Sequence, residues 1–342
     1  MDTQALYDLS PLWRLLLLGL AVAVVALVWV WRRARSPNRR LQALTLLTLF
    51  LTFDLVMFGA FTRLTDSGLG CPDWPGCYGK ASALEASAPI AAAQRAMPTG
   101  PVTHAKAWIE MLHRYLATVV GVLIIALTAL GWRARWAARR SLSPWWATAT
   151  LVWVCLQGAF GALTVTTKLF PAIVTLHLLG GIVLLALLVV QAVHFVQGTE
   201  APVAIKPALR SLLWLLLALV AAQSALGGWV SANYAVLACT EFPKCQGNWW
   251  PLMDFAAGFS LWRELGMTAQ GQFLGFEALT AIHYAHRLFA YASFAALATL
   301  VWQLWPQAVW RAQSRWLAAV ALAQLLTGLS NVLLGWPLLG AP

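Results

Sequence analysis

Charge is what this sequence has least of. Asp, Glu, Lys and Arg make up 10% of its 342 residues, against roughly 25% in a soluble globular domain. That shortage excludes a water-soluble enzyme, and it excludes a disordered or nucleic-acid-binding tail despite the net charge of +11. The usual zinc spacing is also missing, because none of the five cysteines stands in a CxxC pair. A cleavable secretory signal is absent too. The first basic cluster follows the first apolar run instead of preceding it, and no small-residue cleavage site appears.

What is present is apolar: 61% of residues are hydrophobic and the mean hydropathy is +0.71. A bilayer crossing needs about 20 such residues. Runs of that kind fall at 13–31, 41–62, 106–131, 145–166, 172–197, 209–231, 275–304 and 316–336. They predict an all-α polytopic membrane protein with eight spans. Long loops at 63–105 and 232–274 carry Gly, Pro and Trp, and the other connections are short. Cys155, inside a span, reads as a buried apolar packing residue.

Orientation follows from the basic residues. Arg32, Arg33, Arg35, Arg39 and Arg40 separate spans one and two, and Arg133, Arg135, Arg139 and Arg140 separate spans three and four. Lys206 with Arg210, then Arg311 with Arg315, mark the next two loops on that side. These alternate loops are therefore predicted to be cytoplasmic. Asp2, Asp8, Asp66, Asp73, Glu85, Glu241, Asp254 and Glu264 lie on the opposite face, against Glu200 alone inside. The positive charge is a topology signal, and no nucleic-acid partner is expected.

Four cysteines fall in the outer loops, as CPDWPGC (Cys71, Cys77) and CTEFPKC (Cys239, Cys245). Their parity and their non-cytoplasmic side favour two local disulfides, with metal ligation as the rival. The pairs also betray a duplication. Gly59 precedes Cys71 by twelve residues and Gly227 precedes Cys239 by twelve. EMLHR at 110–114 matches HYAHR at 283–287, Gln157 with Gly161 matches Gln324 with Gly328, and Pro171 matches Pro337. The offsets are 168, 173, 167 and 166. A four-span unit thus occurs twice with one orientation. His177 follows Pro171 by six residues, whereas six residues past Pro337 is position 343, beyond this chain. The predicted architecture is two tandem pseudo-symmetric four-helix bundles, the second lacking its last helix in this chain, plus an extra N-terminal transmembrane helix. The corresponding segments are 1–40 (extra helix and Arg-rich linker), 41–197 and 208–342.

His113, His177 and His286 lie inside spans entered from the outer side, roughly 9–14 Å deep at 1.5 Å per residue. An ionisable group at that depth is a functional hypothesis by default. Neutral imidazoles on facing helices suit haem iron in a bundle core. The carboxylate or thiolate cluster expected of zinc or di-iron does not accompany them. His113 with His177 is expected to form one bis-histidine site, and His286 to contribute to the other. Arg114 and Arg287, beside these ligands, are candidate partners for haem propionates, with Glu110 and Glu277 as rival partners. Glu110 shares a helix face with His113, while His283 takes its place in the second copy. A carboxylate there can act as general base or stabilise a developing cation, which makes the first site the reactive one. Pairing of Glu110 with Arg114 is the competing reading. Asp54 is a further mid-span carboxylate; His104 and His194 read as surface groups.

GAFTRLTDSGLGCPDWPGCYG at 59–79, EMLHR at 110–114, HRLFAY at 286–291 and GLSNVLLGWPL at 328–338 resemble the haem A synthase family, in its proteobacterial form with two cysteine pairs. The resemblance covers about 41–342. It implies oxidation of the C8 methyl of haem O to a formyl group, giving haem A for terminal oxidases. It implies substrate haem in the N-terminal bundle and a haem b cofactor in the C-terminal one. His113 and His177 match the substrate-haem ligands, Glu110 the functional glutamate and His286 one haem b ligand. The family pattern carries a further helix and histidine that this chain, as written, does not reach. Implied partners are haem O and the lipid bilayer. The haem O synthase, an electron acceptor such as quinone, and a second copy in a homo-oligomer stay open. The implied location is the bacterial inner membrane, with N-terminus and cysteine loops periplasmic. The alternative function is a di-haem b electron carrier or quinol oxidoreductase. A transporter is disfavoured because no paired Gly/Pro interruption marks a midplane site.

Overall fold

The computed structural model describes residues 10–34, 36–136, 143–197 and 204–334. Asp2, Asp8, Arg35, Arg139, Arg140, Glu200 and Pro337 lie outside the described residues. The chain divides into two compact units, residues 1–169 with 177–200, and residues 170–176 with 201–342. Among the described residues the fold is all-helical, and eight helices are long and apolar enough to cross a membrane. All eight expected spans are therefore present.

The first unit holds α1 (Ser10–Arg33), α2 (Pro37–Leu64), the short α3 (Ser87–Ala96), α4 (His104–Trp136), α5 (Pro144–Thr166) and, from His177 onward, α6 (Pro171–Gln197). Proline opens α2, α5 and α6, where its missing N–H is one that no helix would satisfy anyway. Ser36 caps α2, its hydroxyl accepting from Arg39 N–H at 3.3 Å. Ala23 and Val30 of α1, Leu44 of α2, Leu123 and Leu127 of α4, and Leu188 of α6 share one core.

Hydrocarbon offers no partner for polar atoms, so the unit supplies them internally. Thr48 and Thr52 in α2 donate to the carbonyls of Leu44 and Thr48 at 2.8 and 2.7 Å. Gln191 of α6 donates to Thr45 of α2 at 2.9 Å. The indole N–H groups of Trp146 and Trp153 on α5 donate to Leu187 and Gly180 carbonyls on α6. Such bonds hold helices together where lipid competes equally for apolar surface.

The extra helix is not detached. α1 packs on α2 and α4, Leu15 joins the cluster around Cys71 and Cys77, and Arg14 pairs with Glu85 at 3.3 Å. Its start therefore lies at the cysteine-loop end of the unit, as two consecutive crossings by α1 and α2 require. Cys155 departs from expectation: it is exposed on α5, and a small apolar side chain on a spanning helix is tolerated on either face.

The second unit holds α7 (Pro207–Ala232), a 3-10 turn (Ala235–Leu237), the single-turn α8 (Phe255–Gly258), α9 (Phe276–Leu304) and α10 (Arg311–Leu333). α9 is central, packing against both α7 and α10. Leu209, Leu300 and Leu304 form a core at the end where α7 begins. Ser314 of α10 donates to the Val301 carbonyl of α9 at 3.1 Å.

Candidate functional site

Each unit closes one end with the same device. Cys71–Cys77 and Cys239–Cys245 are disulfide-bonded, each with a sequence separation of 6. A cis proline sits inside each ring, at Trp74–Pro75 and Phe242–Pro243. The acid in the third position caps the turn: Asp73 accepts from Tyr78 and Gly79 N–H at 2.6 and 2.7 Å, and Glu241 accepts from Gly247 N–H. Gly79 and Gly247 have φ of +67° and +75°, a region that side chains disfavour.

An arginine from the spanning helix below holds each ring. Arg114 of α4 donates to the carbonyls of Asp73, Pro75 and Gly76. Arg287 of α9 donates to those of Glu241, Pro243 and Lys244. One turn earlier stands the residue at which the copies differ. Glu110, 4% exposed, accepts from Cys71 N–H at 2.7 Å and from the Arg114 guanidinium. His283, 6% exposed, meets the Ala235 carbonyl through Nδ1 at 3.0 Å and Arg287 through Nε2 at 3.3 Å. A carbonyl only accepts and a guanidinium only donates. His283 is therefore neutral, protonated on Nδ1, with both nitrogens engaged. Glu110 keeps the Arg114 partner that was its rival reading, and the same contact holds its carboxylate one turn above His113.

The three remaining intramembrane histidines share a second feature. A Cβ added at Gly59 of α2 would stand 3.0 Å from His113 Cε1. At Gly161 of α5 the corresponding distance to His177 Cε1 is 3.4 Å, and at Gly227 of α7 it is 3.2 Å to His286 Cε1. Every one of these imidazole edges rests on a glycine of the neighbouring helix. In the first unit the Nδ1 atoms of His113 and His177 are buried without a hydrogen-bond partner. In the second unit His286 lies against the Gln223 amide, 3.1 Å from Nδ1 and 3.3 Å from Nε2.

Residues 42–342 match a family model, COX15-CtaA, described as cytochrome oxidase assembly protein. A haem A synthase of Shewanella oneidensis is 35% identical over 295 residues, covering 85% of this chain and 87% of the relative. The chain belongs to the haem A synthase family. A second haem A synthase, from Halalkalibacterium halodurans, is 27% identical over 65% of this chain and 69% of its own length. A third, from Granulibacter bethesdensis, is 28% identical over 76% and 71%.

Haem A synthases convert haem O to haem A, an oxidative change to haem, so the candidate site is tested against that group. His113 and His177 fit an axial-ligand role, as neutral imidazoles that no protein donor or acceptor claims at Nδ1. Gly59 and Gly161 leave their ring edges room to pivot. His286 fits as well, since among the described residues its hydrogen-bond partner is an amide side chain able to turn. His283 does not fit, both its nitrogens being committed to protein. Among the described residues no group of three or more His, Cys, Asp or Glu is gathered, and the histidines pair instead of clustering.

Asp54 is half-buried in mid-α2, His194 is exposed on α6, and His104 opens α4, its N–H donating to Gln94 at 3.0 Å. Sequence reasoning registered Gly59, Gly161 and Gly227 only as repeat markers or not at all, and it missed Gln223. The available signal was a glutamine four before the glycine, at Gln157 with Gly161, Gln223 with Gly227 and Gln324 with Gly328, and replaced by Leu55 before Gly59. A second omission is Arg263, which donates to Asn233 at 2.6 Å and stacks 5.6 Å from the Trp229 ring. Burial lowers its pKa, and its contacts fasten the second outer loop to the end of α7.

Proposed function

We propose that this chain oxidises the C8 methyl of haem O to a formyl group, yielding haem A for terminal oxidases. The observation that carries this reading is the divergence between the duplicated units one turn before His113 in the first and His286 in the second. The first has a carboxylate, Glu110, one turn from an uncommitted histidine, and the second has a fully committed His283 in the same place. In this reading His113 and His177 hold the substrate haem in the first four-helix bundle, residues 41–197. His286 is one ligand of a haem b cofactor in the second, residues 208–342, and that haem supplies electron transfer.

The chain's own groups do the rest. Glu110, anchored by Cys71 N–H and Arg114, presents a carboxylate of fixed position that accepts a proton or steadies positive charge developing at the macrocycle edge. Arg114 and Arg287 act as cationic neighbours of the propionates, from guanidinium groups fixed by the loop carbonyls. The disulfide loops cap both bundles and exclude water from the outer ends. The multi-pass chain sits in a bacterial inner membrane with N-terminus and cysteine loops in the periplasm, where disulfides persist. An electron acceptor such as quinone and the haem O synthase are the partners this chemistry calls for.

Haem extraction from cells lacking the protein, then re-expressing it, tests the reading. Haem O is expected to accumulate and then to give way to haem A. Continued haem O with no haem A on re-expression overturns it. Tight retention of unmodified haem in both units with rapid quinol oxidation would instead favour the di-haem electron carrier.

A further inference from the structure

Gln223 stands out once the two units are superimposed by sequence. On α7 it lies four residues, one turn, before Gly227, and both residues face His286: the glycine against the ring edge, the amide against the ring nitrogens. In the first unit the equivalent turn of α2 carries Leu55 before Gly59, and His113 Nδ1 is buried with no partner. Gln157 precedes Gly161 in the same way on α5, yet its amide packs over Gly180 of α6 and His177 Nδ1 is left unpartnered. Among the described intramembrane histidines that fit an axial role, only His286 has a side-chain partner.

The amide is held in a telling state. Its nitrogen faces the ring while Gln223 Oε1 is buried without a donor. A histidine that ligates iron through Nε2 carries its proton on Nδ1, and Nδ1–H needs an acceptor. A half-turn of the amide exchanges oxygen and nitrogen in place, bringing the orphaned Oε1 to that proton and ending both deficits at once.

We propose that Gln223 is a positioning residue for His286. Its carbonyl accepts from Nδ1–H, fixes the ring plane and raises the basicity of the coordinating nitrogen. An outer-shell acceptor of this kind orients a ligating histidine and tunes the metal. A more basic ligand favours ferric over ferrous iron, so Gln223 lowers the reduction potential of the haem in the second unit. Leu55 withholds the same bond from His113, leaving the first-unit haem the more readily reduced for its own axial set. The inference rests on His286 being a haem ligand, and the experiment separates the two claims.

The full-length protein is purified with its haems and titrated potentiometrically, following the b-type α-band. Q223L is expected to retain its haem while the midpoint potential rises. A tenfold change in the one-electron equilibrium corresponds to about 59 mV, and a shift of that order is the effect sought. Q223E, a stronger acceptor, is expected to move the potential down, and Q223N to fall between Q223L and the parent. L55Q supplies the reciprocal: it is expected to perturb the spectrum of the first-unit haem and leave the b-type potential unchanged. H286A tests the underlying ligand assignment by loss of the b-type signal. An unchanged potential in both Q223L and Q223E, with the signal lost in H286A, overturns the role of Gln223 alone. A b-type signal retained in H286A overturns the ligand assignment.

Discussion

Glu110 and the ring-bearing glycines are the residues on which the proposed function turns most directly. Glu110→Gln keeps the side chain's shape and an acceptor for Cys71 N–H while removing the charge. Substrate haem is expected to remain bound while haem A formation falls by on the order of 10²–10⁴, the usual range for a lost acid–base group, read from haem O and haem A in extracts. Wild-type haem A levels in this variant would remove Glu110 from the mechanism. Gly59→Ala and Gly227→Ala place a methyl 3.0 and 3.2 Å from the imidazole edges, closer than ordinary van der Waals contact. Each is expected to reduce haem content in its own unit only, visible as selective loss of one α-band. The charges were legible in the sequence because they are so rare in a bilayer. The glycines were not, since a hydrogen side chain carries no chemistry until something is seen to lean on it.

The disulfide loop with its arginine is the repeated element, and it separates the two units energetically. Charge-assisted hydrogen bonds to a guanidinium contribute roughly 1.5–3 kcal/mol. Arg287→Met removes such bonds from the Glu241, Pro243 and Lys244 carbonyls, so a loss of about that size is expected in thermal unfolding in detergent. Arg114→Met does more, because it also strands the Glu110 carboxylate, only 5% exposed against 10% for its partner. Breaking a buried ion pair costs about 3–5 kcal/mol. The ranking Arg114→Met below Arg287→Met in melting temperature checks this, and equal losses would contradict it. Spacing announced the two cysteine rings and their symmetry. It was silent on the loop carbonyls that hold both arginines, because spacing along one helix does not record which loop folds back over it.

Across the whole molecule, charge distribution predicts sidedness. In a Cys155→Ala background, a single cysteine at Glu85 is expected to react with a membrane-impermeant maleimide from the periplasmic face. One at Arg210 is expected to react only after the membrane is opened. The opposite pattern would invert the topology drawn from the basic loops. α1 joins this frame by packing and by charge, Arg14 on Glu85 and Leu15 beneath the disulfide, and so acts as part of the first unit.

Span number, the expected sidedness of each loop and the duplicated plan all follow from the sequence, because a bilayer enforces length, polarity and charge asymmetry on linear segments. The candidate haem-ligand histidines were legible too, as some of the few ionisable groups within those segments. Tertiary structure alone decided which histidine nitrogens are free and which are spent. It also decided that glycines back the rings, and that Gln223 touches one of them. Those outcomes depend on which helix faces meet across a few ångströms, and hydropathy carries no record of a neighbour.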